Sequence, residues 1–529
     1  MSGLRPATVL PPLAVGVVVV MVIWPGLMPD VGFWDTGEFQ TVLPVLGTAH
    51  PTGYPTYVLL GFVANVLLTP LGEPAFRTNV LSLLCVAVAA AATVRLATRL
   101  SGRVVIGAAT GLGVAFTPYA WKLATHADPH TLHLALVAIL FGLLVRWEGA
   151  RRAAEPGADR WLVISAVVFG LSVGNHSLTL LLGVPVGLYV LAVDPGILIR
   201  PWLIATCALA LIPTTVAVYL ELPLRAGPFP APQVYGRPNT WDGFWYVALA
   251  EQFRGALLDP FGDLPRKLGG LADLATSQFG LVAPLIPLGF LATAVRHPRY
   301  ALLTGSAMLI TVVFNASYIN ADISRYYLGP VLWAWTWLAS LTGVVADQLG
   351  AATGVDETGG EATGIEATGV GAPAEGRGLA GAIVPALVPT ALALALLVPT
   401  ASGFALRAEQ ADLHRDTAAR SWLAAALSDF EPDAVIVSTW SASTVLWYAQ
   451  YVDRLRPDIS VVDDRTRLDL DYGEATDVIA RFLGRRPVYV IRANTSDLNL
   501  VLLQYDLEPV GGGLHPPVFR VIGLRGTGG

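Results

Sequence analysis

The sequence predicts a polytopic α-helical membrane protein that ends in a small α/β domain, and three observations carry that reading. The chain of 529 residues is 54% hydrophobic and 14% charged, well below the ~25% charged residues of an average soluble protein. Its charges cluster, leaving uncharged runs of spanning length between them. After about Phe404 the pattern changes to short β-rich runs that alternate with helical stretches.

Crossing a bilayer takes roughly 17–25 mostly apolar residues. Runs of about that size separate Arg5 from Asp30, Arg77 from Arg95, Arg103 from Lys122, and Asp128 from Arg146. Further runs lie between Arg200 and Glu221, Asp273 and Arg296, Arg299 and Asp322, Arg325 and Asp347, and Arg377 and Arg407. The uncharged stretch Trp161–Val193 is too long for one upright helix. Gly174-Asn175-His176-Ser177 breaks its middle, so it reads as a tight hairpin of two short helices. About eleven spans result.

Orientation follows the Lys/Arg bias of the short loops. With the N-terminus cytoplasmic, Arg95, Arg99, Arg103, Arg146, Arg151, Arg152, Arg160, Arg200, Arg296 and Arg299 fall inside. Counting Tyr57–Leu71 as a span would move the Arg95–Arg103 group outside, so that segment is laid along the outer interface. The N-terminal apolar run reads as an anchor, not a cleavable signal. The expected location is the cytoplasmic (plasma) membrane, multi-pass, with the C-terminal domain extracytoplasmic.

Four regions follow: a transmembrane module over 1–346, a flexible cytoplasmic linker over 347–378, a last span over 379–403, and an extracytoplasmic α/β domain over 404–529. The module carries a first outer loop at 29–77 and a long outer loop at 221–277. The linker is rich in Ala, Gly, Thr and Glu, a composition that cannot bury a core. In the last region Ala434–Ser438, Ile459–Val462 and Val488–Ile491 read as strands. Thr444–Val452 and Ala475–Leu483 read as helices between them, giving a partly parallel sheet. No Gly-rich phosphate loop opens either helix, so no cofactor is expected. The two cysteines, Cys85 and Cys207, fall inside spans and supply no disulfide or metal framework.

Polar chemistry concentrates at the outer membrane surface. The first outer loop contains Trp34-Asp35-Thr36-Gly37-Glu38-Phe39, then His50-Pro51-Thr52-Gly53-Tyr54-Pro55. On a helix Asp35 and Glu38 would share a face. Alternatively, Asp35 is an N-cap and Glu38 favours the helix start. His126, His130 and His133 precede or open the fourth span. Their spacing is weak evidence for a metal, and a divalent ion is possible chemistry but not indicated. Hydrogen bonding in a polar cavity is the expected role for them and for His176. Phe229, Tyr235, Trp241, Phe244, Trp245 and Tyr246 in the long outer loop suit an interfacial belt or a sugar groove.

The pattern Trp34–Phe39, Leu46-Gly47, His50–Pro55 and Ala75–Asn79 resembles the bacterial membrane family related to protein O-mannosyltransferases, within the GT-C glycosyltransferases. Gly174-Asn175-His176 and Arg325-Tyr326-Tyr327 extend the similarity through the membrane region. The resemblance implies a GT-C-like fold, a polyprenyl- or dolichyl-phosphate sugar donor, and a protein or cell-envelope glycan acceptor. It implies inverting transfer with Asp35 as the base and Glu38 as its acidic companion. A lipid phosphate leaves as a stabilised anion, so one carboxylate acting on the acceptor hydroxyl suffices. Arg77, Arg325 and Lys122 are then candidates for the phosphate, against a reading as snorkelling anchors. His50, Tyr54, His126, His176 and Tyr326 are substrate-cavity candidates. Membrane lipids are expected partners and nucleic acid is not. A secondary transporter, and an envelope-polymer ligase or receptor that binds through the outer domain, are the competing classes. No internal repeat supports the transporter.

Overall fold

The computed structural model of the protein describes residues 6–319, 322–352, 379–492 and 494–526. Most of the expected linker lies outside the described residues. Its first residues continue a helix that runs over Leu328–Ala352.

Among the described residues, seven helices are long and apolar enough to cross a membrane. They are Val9–Gly26, Pro74–Ser101, Pro129–Arg152, Pro201–Ala226, Leu264–Arg296, Pro298–Ser317 and Ile323–Ala351. Two bent pairs raise the number to nine: Val104–Ala115 with Pro118–Ala124, bent by 65°, and Leu387–Ser402 with Phe404–Ala411, bent by 48°. Reaching the expected eleven requires the shorter apolar helices Arg160–Asn175 and Ser177–Val193, the hairpin read around Gly174–Ser177. Pro55–Leu67 is also short, in keeping with a helix along the interface.

Local sequence sets many of these boundaries. Proline stands in the first turn at Pro74, Pro118, Pro129, Pro201 and Pro298, where its missing N–H costs no hydrogen bond. The Asp128 side chain caps the helix starting at Pro129 by accepting from the His130 N–H. Leu209, Ile212 and Val216 stand exposed on Pro201–Ala226, as expected of a face that meets lipid. Pro74–Ser101 and Ile323–Ala351 lie mostly buried at the centre.

Pro74–Ser101 also defines the two ends of the molecule. Its 28 residues span about 42 Å at ~1.5 Å per residue. At one end, the Ala75 N–H donates to the Tyr448 hydroxyl of the C-terminal region at 3.2 Å. Basic residues gather at the other end, where Arg103 and Arg296 both meet Asp347 at 2.6 and 2.5 Å. Nearby, Arg151 pairs with Asp194, and Arg299 with Glu148. The first outer loop and the C-terminal domain therefore share an end, and the positive cluster occupies the opposite one.

The C-terminal domain holds a five-stranded sheet: β1 (Val435–Ser438), β2 (Ser460–Asp463), β3 (Val488–Ile491), β4 (Tyr505–Val510) and β5 (Val518–Leu524). Their order is β2-β1-β3-β5-β4. The first three are parallel and the last two antiparallel. The apolar runs matched β1 to β3. The β4–β5 pair was absent from that expectation, because β4 alternates exposed polar residues such as Asp506 and Glu508 with Pro509. Helix Trp440–Trp447 follows β1, and a π-helical turn, Tyr448–Val452, continues it.

That helix lies against the first-loop helix, Trp34–Val45, and the approach requires glycine at 37. A Cβ there would stand 2.2 Å from the Gly32 carbonyl oxygen and 3.0 Å from the Thr444 hydroxyl. Gly37→Ala should therefore cost about 1–3 kcal/mol through overpacking and loosen the C-terminal domain. Melting temperature and limited proteolysis of that domain measure both effects; unchanged values would show the contact to be slack.

Candidate active site

Hydrogen bonds fix the first-loop helix before any charged group is considered. Gln40 accepts from the Gly32 N–H at 2.8 Å and donates to Asn79 at 2.9 Å. Asn79 in turn donates to the Met28 carbonyl at 2.8 Å. The entry to the loop and the first-loop helix are thus tied to the start of Pro74–Ser101. At the far end of the helix, Leu46 turns left-handed and Gly47 lets the long outer loop approach, since a Cβ would sit 2.8 Å from the Gln233 carbonyl.

Asp35 does not cap this helix. The N-cap position belongs to Phe33, which makes no side-chain cap bond. The half-buried Asp35 carboxylate instead accepts from Arg325 Nη1 at 2.9 Å on one oxygen and from the Trp440 indole N–H at 3.2 Å on the other. Arg325 also meets Asp322 at 2.9 Å and Asp128 at 3.6 Å. Asp128 accepts from His130 as well, at 2.9 Å. Burial pushes the Asp35 carboxyl up, but the charges of His50 and Arg325 outweigh it and hold it below its ordinary value. Asp128 behaves alike: burial opposes ionisation, and His130 and Arg325 overcome it.

Glu38 faces a different partner. Its fully buried carboxylate accepts from the His50 backbone N–H at 2.7 Å and pairs with His50 Nδ1. Burial opposes charge on His50, yet Glu38 and Asp35 raise it to about 9. The ring rests edge-on against Tyr54 and Trp440. Asp35 and Glu38 therefore have separate partners, with the His50 ring acting on both.

Beside Arg325 opens a small cleft lined by His130, His133, His176, Tyr326 and Trp333. His176 stands edge-on to Tyr54 and Tyr326. Buried Nε2 atoms of His130 and His176, and Nε1 of Trp333, have no hydrogen-bond partner among the described residues. Such orphaned groups call for a polar occupant. His126 is near Lys122 and Asp322, and burial lowers its pKa. Among the described residues, no group of three or more His, Cys, Asp or Glu side chains is arranged to hold a metal.

Arg77 and Arg325 are not brought together by any contact. Arg77 donates to the Asn65 carbonyl at 2.6 Å and to Thr69 at 3.0 Å, tying down the end of Pro55–Leu67. Lys122 is exposed and, among the described residues, makes no ion pair; its charge acts on Asp322 and His126. Sequence reading missed Trp440, Asp322 and the structural part of Asp128. An Asp-Pro pair at a helix start is a readable cap signal for Asp128. Nothing local marks Trp440.

The raised pKa of His50 has a consequence for stability. Its contribution is complete below the ordinary value of 6.5 and is lost as pH rises through about 9. Between those values the melting temperature of the wild type should fall more steeply than that of His50→Gln. Parallel curves would contradict the pairing.

Residues 35–195 match the family described as the protein O-mannosyl-transferase TMEM260 N-terminal domain. The chain is 28% identical over 452 residues to protein O-mannosyl-transferase TMEM260 of Mus musculus, covering 81% of this chain and 59% of that protein. It thus spans about three fifths of the length of this curated relative. Two solved structures share its fold: ArnT from Cupriavidus metallidurans bound to undecaprenyl phosphate, at a TM-score of 0.55 and 16% identity, and the same protein in the apo state, at 0.57 and 15%. The first alignment covers 98% of each chain, and the second 96% of this chain and 97% of the other. By sequence the chain is thus similar to a protein O-mannosyltransferase, as the loop motifs implied, and it shares the fold of the ArnT structures.

Proposed function

We propose that this protein is a membrane glycosyltransferase that moves a hexose, such as mannose, from a polyprenyl- or dolichyl-phosphate carrier to a protein hydroxyl. The observation that carries the proposal is the Asp35 carboxylate. It is half-buried, held ionised, and fixed by two donors, one of which, Arg325, lines a cleft where buried polar atoms lack partners. Likeness to protein O-mannosyl-transferase TMEM260 and to ArnT structures supports the same reading.

In the proposed reaction the acceptor hydroxyl oxygen attacks the anomeric carbon while Asp35 takes its proton. The bond from that carbon to the phosphate oxygen breaks, and the lipid phosphate departs with the electron pair. Attack opposite the leaving group inverts the anomeric configuration. Arg325 touches both Asp35 and the cleft, so it serves the base and faces the leaving phosphate. Lys122 adds a mobile positive charge. Glu38 acts through His50. Arg77 is assigned to anchoring the interfacial helix. His176 and Tyr326 line the cleft and are assigned to its sugar side, with Tyr54 packed behind His176; His50 and His126 lie outside its lining.

The proposed orientation puts this end outside the cytoplasmic membrane, with the arginine-rich end inside. Labelling of single cysteines introduced at Ser2 and Gly528 should report opposite sides; same-side labelling would overturn the arrangement.

Transfer assayed with a polyprenyl phosphomannose and a Ser/Thr peptide tests the chemistry. Asp35→Asn should lower kcat by ~10²–10⁴-fold, with its melting temperature nearly unchanged. Lys122→Ala should raise KM for the donor and leave that for the peptide unaltered. Full activity in Asp35→Asn would remove the base assignment.

A further inference from the structure

The C-terminal domain has no part in the chemistry set out above, yet one of its side chains reaches the reacting carboxylate. Trp440 lies two residues beyond the end of β1 and opens the helix Trp440–Trp447. In the order β2-β1-β3, the chain leaves β1 to one side for β2 and returns on the other for β3. The carboxyl end of β1 is therefore the switch point of the parallel part, where open α/β sheets place ligands. Here that edge is turned onto the first outer loop, and the Trp440 indole N–H donates to Asp35 at 3.2 Å.

The ring has little freedom. His50 at 5.8 Å, Tyr235 at 5.7 Å and Trp447 at 5.7 Å stand edge-on to it. Its helix is seated on the first-loop helix, where the Thr41 hydroxyl donates to the Thr444 carbonyl at 3.4 Å. The close approach at Gly37 sets the same spacing. Arg325 holds the second Asp35 oxygen. Two donors, one on each oxygen, hold the carboxylate and leave its remaining lone pairs to receive a proton.

The geometry points to Trp440 as a positioning residue for Asp35, which makes the C-terminal α/β domain part of the active site. This rests on Asp35 being the base. Other charged or titratable groups around Asp35 are Arg325 from the last long span, His50 from the loop after it, and Glu38 on its own helix. Asp128 acts across Arg325, and Tyr54 and Tyr326 stand nearby.

Trp440→Phe keeps an aromatic ring and removes the donor. In the full-length protein, assayed with the same polyprenyl phosphomannose and peptide, kcat should fall roughly 10–100-fold, as for loss of one hydrogen bond to a charged group. KM for the donor should hold. The acid limb of the pH–rate profile should move to higher pH, since the indole N–H helps keep Asp35 ionised. Wild-type kcat with an unmoved acid limb overturns the proposal. So does a loss of activity that follows a loss of folded protein with no shift of that limb. If Trp440→Phe does not fold, β-(3-benzothienyl)alanine at position 440 preserves the bicyclic shape and deletes only the N–H, and the same two readouts apply. Activity retained in Asp35→Asn signals a different failure: the base assignment falls, and the positioning role falls with it. An inactive Asp35→Asn beside a fully active Trp440→Phe leaves the base in place and removes Trp440 alone.

Discussion

Everything at the site depends on how one guanidinium is shared. Arg325 faces carboxylates from three places: Asp35 in the first loop, Asp128 before the fourth span, and its near neighbour Asp322. Unpaired, those carboxylates would repel one another in a poorly solvated setting, and ionised groups there are expensive to leave without partners. Arg325 makes their proximity tolerable, and their proximity in turn fixes where Arg325 can be. The Asp35 carboxylate, the cleft and the neighbouring helix starts are therefore set by one charge balance. Moving any one of them disturbs the others.

The C-terminal domain is clamped to this arrangement at several points. Arg420 bridges Asp30 at 2.8 Å to Asp453. Arg465 donates to the Tyr246 hydroxyl at 2.9 Å and lies over its ring. The Gly236 N–H donates to Asp469 at 3.3 Å. The long outer loop is thus held between the domain and the first loop. Its tyrosines serve that junction: Tyr235 packs on Trp440, and Tyr246 on Arg465. An aromatic belt at the lipid interface describes the exposed Trp241 better.

Much of this was legible because two physical signals are local. Spanning length shows as an uncharged run, and a buried parallel strand shows as a short β-rich run, so the spans and β1–β3 could be read directly. The pairing of Asp35 and Glu38 on one helix was legible for the same reason, since their spacing is helical. Their separate partners were not. Arg325 lies 290 positions from Asp35, and only folding decides that it meets Asp35 and not Arg77's surroundings. Arg77 looked equivalent because it too stands at a span end. Its guanidinium instead donates to the Asn65 carbonyl near the end of the Pro55–Leu67 helix, a need invisible until that helix has an end. The β4–β5 pair escaped because β4, an edge strand with polar residues and a proline, carries no apolar run to mark a partner for Val518–Leu524.

The contact between Asp35 and Trp440 joins positions 405 residues apart, which has a bearing on biogenesis. A chain emerging from the ribosome inserts its helices from the N-terminus onward, and domains form as units in that order. Asp35 is in place early, but its second donor arrives only after the 405 positions that separate them have been synthesised and the α/β domain has docked. A truncated or half-inserted chain would hold the carboxylate without its full support. Docking of the α/β domain thus ties the support of the Asp35 carboxylate to the synthesis of everything between the two residues.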